Sequence, residues 1–316
     1  MKLEVWAKEL RIPFLSLPAI FVPLGITVAL LDGYFNLVYG ILTLIGIVCI
    51  HASVNVLNDY FDFKSGIDTA TTPTPFSGGS RVLPENLLTP KSVLIGGIIL
   101  LAIGSLIGLY FLYIFDFPPL LIALISIAII TSVAYSPVLS RIGLGEVFVF
   151  LNFGPLLFTG VYYIQSGGLI STEAMVVGSI VGLMTTGILY INQFPDTDAD
   201  KSKGRFHLVA RLGKKRAAGI YRYMVGTGFV ILILGVVTFT IPPTTIIALI
   251  TIPKFRVANA ILQKEYEKIM ELIPAMGNTV MGTIQSGILL LVGYLIWYFL
   301  SIYFPGVTTI LPENIS

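Results

Sequence analysis

Two short runs gather six of the chain's 17 acidic residues. The first reads Asn58-Asp59-Tyr60-Phe61-Asp62 and continues to Asp68. The second reads Asn192-Gln193-Phe194-Pro195-Asp196 and continues through Asp198 to Asp200. Each holds an Asn with an Asp four residues on, a spacing that puts both side chains on one helical face. Like charges gathered in one place repel unless a cation compensates them. Hard cations such as Mg²⁺ take oxygen ligands, commonly one or two carboxylates plus the phosphates of a substrate. Two such acidic ends facing each other are suited to hold two Mg²⁺ ions that clamp a diphosphate and stabilise it as a leaving group. Lys64, Arg81, Arg141, Lys201, Lys203 and Arg205 lie near the runs and would cover the remaining phosphate charge. Upstream, His51, Asn55, Asn58 and Asp62 recur at helical spacing as one polar stripe pointing back into an apolar segment.

The elements that must position these residues are membrane helices. Of 316 residues, 55% are hydrophobic and 11% charged, whereas a soluble chain carries roughly 25% charged residues. A single cysteine excludes a disulfide scaffold, and a net charge of only +2 excludes a nucleic-acid binder. Apolar stretches long enough to cross a bilayer occur at 14–31, 37–57, 93–115, 119–135, 147–164, 174–191, 224–241 and 280–299. A further stretch begins at Pro242 but is interrupted by Pro253, Lys254 and Arg256, and is expected to be a short or bent eighth span. The fold class that follows is an all-α polytopic membrane protein, with nine transmembrane helices around a central cavity.

All 19 Lys and Arg fall on the loops of one side, and the opposite loops, including the tail 301–316, hold none. By the positive-inside rule the basic side is cytoplasmic. That places the N-terminus and both acidic runs on the cytoplasmic side, and the C-terminus outside. Residues 1–11 read as an interfacial helix rather than a signal peptide, since a basic start and a cleavage site are lacking. An ion-coupled transporter would carry its coupling acids near mid-bilayer, and no span has an acid at its centre. Phosphotransfer by CDP-alcohol enzymes would need an Asp-Gly-x-x-Ala-Arg run, and none is present.

At its two acidic motifs the chain resembles the UbiA superfamily of intramembrane prenyltransferases. Asn58-Asp59-x-x-Asp62 is similar to that family's first motif. Asn192-x-x-x-Asp196-x-x-x-Asp200 is similar to the second, and Gly204-Arg205 through Leu212-Gly213 to the run that follows it. Tyr135-Ser136-Pro137 and Gly143-Leu144-Gly145-Glu146 resemble the segment that carries a Tyr and a basic residue for the phosphates. Asp68, six residues after Asp62, is spaced as in the 1,4-dihydroxy-2-naphthoate (menaquinone) branch.

The resemblance implies transfer of an isoprenyl chain from its allylic diphosphate to an aromatic acceptor. The expected acceptor is a quinone precursor such as 1,4-dihydroxy-2-naphthoate, with 4-hydroxybenzoate and geranylgeranylglyceryl phosphate as alternatives. Read with the spacing, it implies Asn58, Asp62, Asp68, Asn192, Asp196 and Asp200 as Mg²⁺ ligands, with Asp59 next in line. Arg141 and Tyr135 would act on the diphosphate beside Asp62, Asp196 and Asp200. Arg81, Lys201, Asn55 and Arg11 would bind substrate. Residues 1–316 are expected to form one domain in the plasma membrane among lipids, with loops 58–91 and 192–216 carrying the site. Phe148, Phe150, Tyr162, Tyr163 and Tyr190 are candidate walls for a carbocation. His51, Cys49 and His207 are read as packing or loop residues.

Overall fold

The computed structural model describes residues 2–304 and 306. The remainder of the tail, expected on the outer side with the C-terminus, lies outside the described residues. The helices are α1 (Lys2–Glu9), α2 (Ser16–Leu31), α3 (Leu37–Ser65), α4 (Ile67–Ala70), α5 (Pro90–Ile114), α6 (Pro119–Ala134), α7 (Gly145–Phe153), α8 (Pro155–Ser166), α9 (Thr172–Ser202), α10 (Leu208–Leu212), α11 (Lys214–Val237), α12 (Ile252–Glu265) and α13 (Ile273–Tyr303). Nine helical stretches among the described residues are long and apolar enough to cross a membrane. The chain is an all-α, multi-pass integral membrane protein.

Local chemistry sets the helix ends. Asn36 caps α3 by accepting from the Tyr39 amide, and Gly66, left-handed at φ 75°, ends that helix. Thr89 followed by Pro90 opens α5, and Ser171 caps α9. Both acidic motifs therefore stand on helix rather than on the loops that leave it. α3 continues to Ser65 and α9 runs through Pro195 to Ser202, which holds the four-residue spacing rigid.

The fifth span is interrupted. Pro155 cannot donate a backbone hydrogen bond, so α7 gives way to α8 at Gly154. A methyl added at Gly178 would meet Gly154 backbone at 2.8 Å, and one at Gly182 at 2.9 Å. Backbone-to-backbone packing of α9 on this break is open only to glycine. The eighth span is bent as expected: it starts as a 3₁₀ stretch, Pro243–Thr251, and becomes α12.

The buried core lies mainly among α2, α8, α9, α11, α12 and α13, around Phe21, Phe158, Met184, Tyr190, Tyr221 and Tyr294. Beside it α3, α5, α6, α7, α8 and α9 enclose a cavity of about 410 Å³. Its lining on α3 runs from Thr43 to Asp62, about 28 Å at 1.5 Å per residue. Phe111, Leu121 and Ile164 line its deep end. They belong to one buried cluster, against which Tyr39 and Phe115 pack.

Candidate active site

The cavity has an apolar shaft and a polar mouth. Asn58, Asp62, Asp68, Asn192, Asp196 and Asp200 all line it at the end where the basic loops lie. So do Arg11, Asn55, Tyr135, Arg205 and His207. The two motifs, far apart in sequence, are thus brought to one chamber.

Asp62 is its hub. Ser136 Oγ donates to Asp62 Oδ1 at 2.6 Å, and Asn58 Nδ2 to Oδ2 at 2.9 Å. The Arg205 guanidinium grips both carboxylate oxygens, Nη2 on Oδ1 and Nη1 on Oδ2. Such a fork is the strong, geometry-specific form of the Arg–carboxylate pair. Arg205 Nη1 also lies 3.6 Å from Asp200 Oδ1, so one guanidinium ties the first motif to the second. Burial opposes the charge on Arg205, yet Asp62 and Asp200 outweigh it and its pKa moves up.

Asn192 Nδ2 donates to the Phe76 carbonyl at 3.0 Å, which lays loop 71–82 across the mouth. That loop contributes Phe76, Ser77, Gly78 and Gly79 to the cavity wall. Gly78 and Gly79 are left-handed (φ 84° and 76°), and a methyl on Gly79 would meet Asp68 Oδ1 at 2.9 Å. Asp68 is buried under it. Its carboxyl is pushed up to about 8, first by burial and then by Asp59 and Asp62.

The chamber suits a hard cation. Oδ1 of Asn192, Asp196 and Asp200 are buried without a hydrogen-bond partner. Four-residue steps on α9 put all three on one face. Oxygen acceptors desolvated in this way are costly unless a ligand engages them. No three carboxylate, imidazole or thiolate groups among the described residues stand close enough to enclose a metal alone.

Several expected residues stand elsewhere. Arg81 is half-buried and absent from the cavity wall; its backbone is left-handed at φ 66°, and its guanidinium donates to the Asp68 carbonyl. Arg141 is half-buried outside the wall, and its carbonyl accepts from the Phe206 amide at 3.2 Å. Lys201 is exposed, off the cavity-facing row of α9. Asp198 is drawn outward to Lys214 at 2.8 Å. Asp59 faces away from the chamber, holding Arg11 and the Ser80 amide.

His207, read as a loop residue without a partner, is buried. Its Nδ1 accepts from the Ala210 amide, and Nε2 stands 3.2 Å from Asp200 Oδ2. Arg205, expected with five other bases to cover phosphate charge, is the one of the six that lines the cavity, while Ser136 had no assigned role. The available signal for Arg205 was its place in the Gly204-Arg205 pair after the second motif. Of the candidate aromatic walls only Phe148 lines the cavity, with Phe14, Phe76, Phe111 and Phe153. Tyr190 instead donates to the Ala217 carbonyl and Tyr162 to Asp32.

A helical membrane bundle with an acid- and arginine-lined mouth above an apolar shaft is built for an amphipathic, anionic-headed molecule. Residues 18–272 match the UbiA prenyltransferase family, and the chain belongs to it; it is a prenyltransferase. It is 26% identical over 297 residues to the 1,4-dihydroxy-2-naphthoate octaprenyltransferase of Bacillus subtilis (strain 168), covering 90% of each chain. Its fold is similar to a UbiA homolog from Aeropyrum pernix K1 (TM-score 0.63, 16% identity, 92% of this chain and 98% of that one). It is also similar to a UbiA homolog from Archaeoglobus fulgidus bound to DMAPP and Mg²⁺ (TM-score 0.55, 12% identity, 90% and 98% covered).

Proposed function

We propose that the protein transfers an isoprenyl chain from an allylic diphosphate to an aromatic acceptor of the 1,4-dihydroxy-2-naphthoate kind, with Mg²⁺. The observation that carries this reading is the cavity itself, where the acids and Arg205 at the mouth open onto an apolar shaft. A diphosphate fits the first and a prenyl tail the second. The similarity to a naphthoate prenyltransferase supports the acceptor class.

Asn58, Asp62 and Asp68 on one side, and Asn192, Asp196 and Asp200 on the other, would hold two Mg²⁺ ions, with phosphate oxygens completing the shells. When bound, Mg²⁺ supplies positive charge that stabilises the departing diphosphate. Arg205 and Arg11, both in the wall, add donors for the phosphate oxygens, and Tyr135 stands beside them. The allylic C–O bond ionises with its electron pair leaving on the diphosphate. An electron-rich acceptor carbon attacks the carbocation and then gives up its proton to solvent, which restores the aromatic ring. Phe14, Phe148 and Phe153, all in the wall, would keep water from the cation. The whole chain acts as one domain of the plasma membrane, surrounded by lipid, with segments 58–91 and 192–216, helix ends and the loops that follow them, forming a cytoplasmic mouth. The charge split across the spans supports that orientation.

The test is purified protein in detergent with Mg²⁺ and an allylic diphosphate, offered 1,4-dihydroxy-2-naphthoate, 4-hydroxybenzoate or geranylgeranylglyceryl phosphate. Prenylated naphthoate and released diphosphate are expected. Preference for either other acceptor would replace the acceptor assignment, and full activity in EDTA would defeat the metal-dependent mechanism.

Asp68 adds a pH dependence. Below about 8 its carboxyl holds a proton, which a bound cation must displace. Apparent Mg²⁺ affinity therefore rises as pH is raised toward 8 and levels off above it, by at most about tenfold per pH unit for one proton released. Mg²⁺ titrations at several pH values measure this. A flat profile would remove Asp68 from the ligand set.

A further inference from the structure

One buried carboxyl takes no part in the site as described. α1 is largely exposed, yet its last residue, Glu9, is 0% exposed. Glu9 Oε2 accepts from Ser80 Oγ at 2.7 Å, 71 residues away in sequence. The Ser80 amide donates to Asp59 Oδ2 at 2.8 Å, and Asp59 Oδ1 accepts from the Arg11 guanidinium. Since Arg11 follows Glu9 by two residues, these bonds close a ring through three segments: the end of α1, α3 and loop 71–82.

Both ends of that ring reach the cavity, though Glu9 itself does not line it. Arg11 enters the wall from a left-handed backbone (φ 51°), a conformation unfavourable for a non-glycine residue that needs holding. Asn55 Nδ2 helps by donating to the Leu10 carbonyl at 3.1 Å. Loop 71–82 has little backbone bonding of its own, the Thr74 amide to the Ser77 carbonyl being one such bond. Its position over the mouth is held by Ser80 and Arg81 at one end, by Asn192 at the Phe76 carbonyl and by the Gly78 backbone at Asp196. α1 is seated firmly enough to act as an anchor. Trp6 fills the space over Gly96, where an added methyl would meet its ring at 2.6 Å, and Lys8 pairs with Glu85 at 2.8 Å.

We propose that Glu9 and Ser80 form a latch that keeps loop 71–82 down over the diphosphate end of the cavity and Arg11 turned into it. Both are positioning residues, acting through the loop and through Asp59. The kinetic arm of the test rests on the prenyl-transfer reading above; the proteolytic arm does not.

Ser80→Ala removes one hydroxyl and leaves the fold's packing in place. It is expected to raise the KM for the allylic diphosphate about tenfold, the worth of one hydrogen bond, with kcat changed less than about threefold. Glu9→Ala should do the same, the double variant no more, and Glu9→Gln, which keeps an acceptor for Ser80, should stay near the parent protein. Trypsin cleavage after Arg81, followed by the mass of the N-terminal fragment, should accelerate in Ser80→Ala and Glu9→Ala but not in Glu9→Gln. Unchanged cleavage and unchanged KM in Ser80→Ala overturn the latch even if Glu9→Ala fails to fold. A parent protein inactive toward every diphosphate defeats the functional reading instead, while the cleavage rates still judge the latch.

Discussion

Asp62→Asn is expected to lower turnover by about 10³-fold or more, some 4 kcal/mol of barrier, while the protein stays folded. Asp62 is where both halves of the site meet. It accepts from Ser136, Asn58 and Arg205 at once, so its charge organises every group around the proposed first cation. The asparagine keeps the shape and one acceptor oxygen, but it removes the charge and sets an NH2 donor against one of the donors that now meet the carboxylate. Asp62→Ala is the harsher change, because it takes from Arg205, only 11% exposed, both acceptor oxygens as well as the counter-charge. A stranded buried charge of that kind costs about 3–5 kcal/mol. The alanine variant should therefore lose stability as well as activity, and the comparison of the two separates the contributions. Initial rates and thermal unfolding in detergent measure them. An Asp62→Asn protein within tenfold of the parent rate would take Asp62 out of the chemistry.

The second large effect concerns Arg205. Arg205→Met is expected to reduce kcat by about 10²-fold, on the scale set by removing one aligned donor from a developing oxyanion. It should also lower the Mg²⁺ concentration needed for half-maximal activity. The opposite directions have one cause. The guanidinium occupies Asp62 and stands near Asp200, the oxygens a cation would take, so its removal frees ligands while withdrawing charge from the phosphates. Arg205→Lys should recover only part of the rate, since a lysine cannot grip both oxygens of Asp62. Kinetic titration with Mg²⁺ separates the two effects. A variant with unchanged kcat and unchanged Mg²⁺ dependence would make Arg205 purely structural.

The membrane bundle was legible from composition, because lipid accepts only segments that satisfy their own backbone and expose apolar side chains. Even the bent eighth span followed from Pro242, Pro253 and the charges after it. The Asn58/Asp62 and Asn192/Asp196 pairs were legible for a related reason. Four-residue spacing on a helix is local geometry, and charge is so scarce here that its grouping stands out.

Choosing among the bases was beyond sequence reasoning. Arg81, Arg141, Lys201 and Arg205 carry the same charge near the same motifs, and their reach depends on how loops 71–82 and 203–207 fold back. Arg81 is taken up by the Asp68 carbonyl outside the cavity wall, whereas Arg205 is carried in by a turn whose Arg205 amide bonds to the Asp200 carbonyl. Asp59 and Asp62 are three residues apart, yet one faces Arg11 and Ser80 and the other the chamber. The contacts of Glu9 with Ser80, 71 residues on, and of His207 with Asp200 arise from how the folded segments meet.

What the sequence determined by itself is what depends on solvent and on helical period: nine apolar crossings, one basic side, and two carboxylate faces at helix ends. What only the tertiary structure decided is which charges meet. Asp62 with Arg205, Asp200 with His207 and Glu9 with Ser80 join residues that local spacing does not bring together. Such pairings are set by where packed helices and folded loops bring side chains, and electrostatic attraction between them is strong only at those short, desolvated distances.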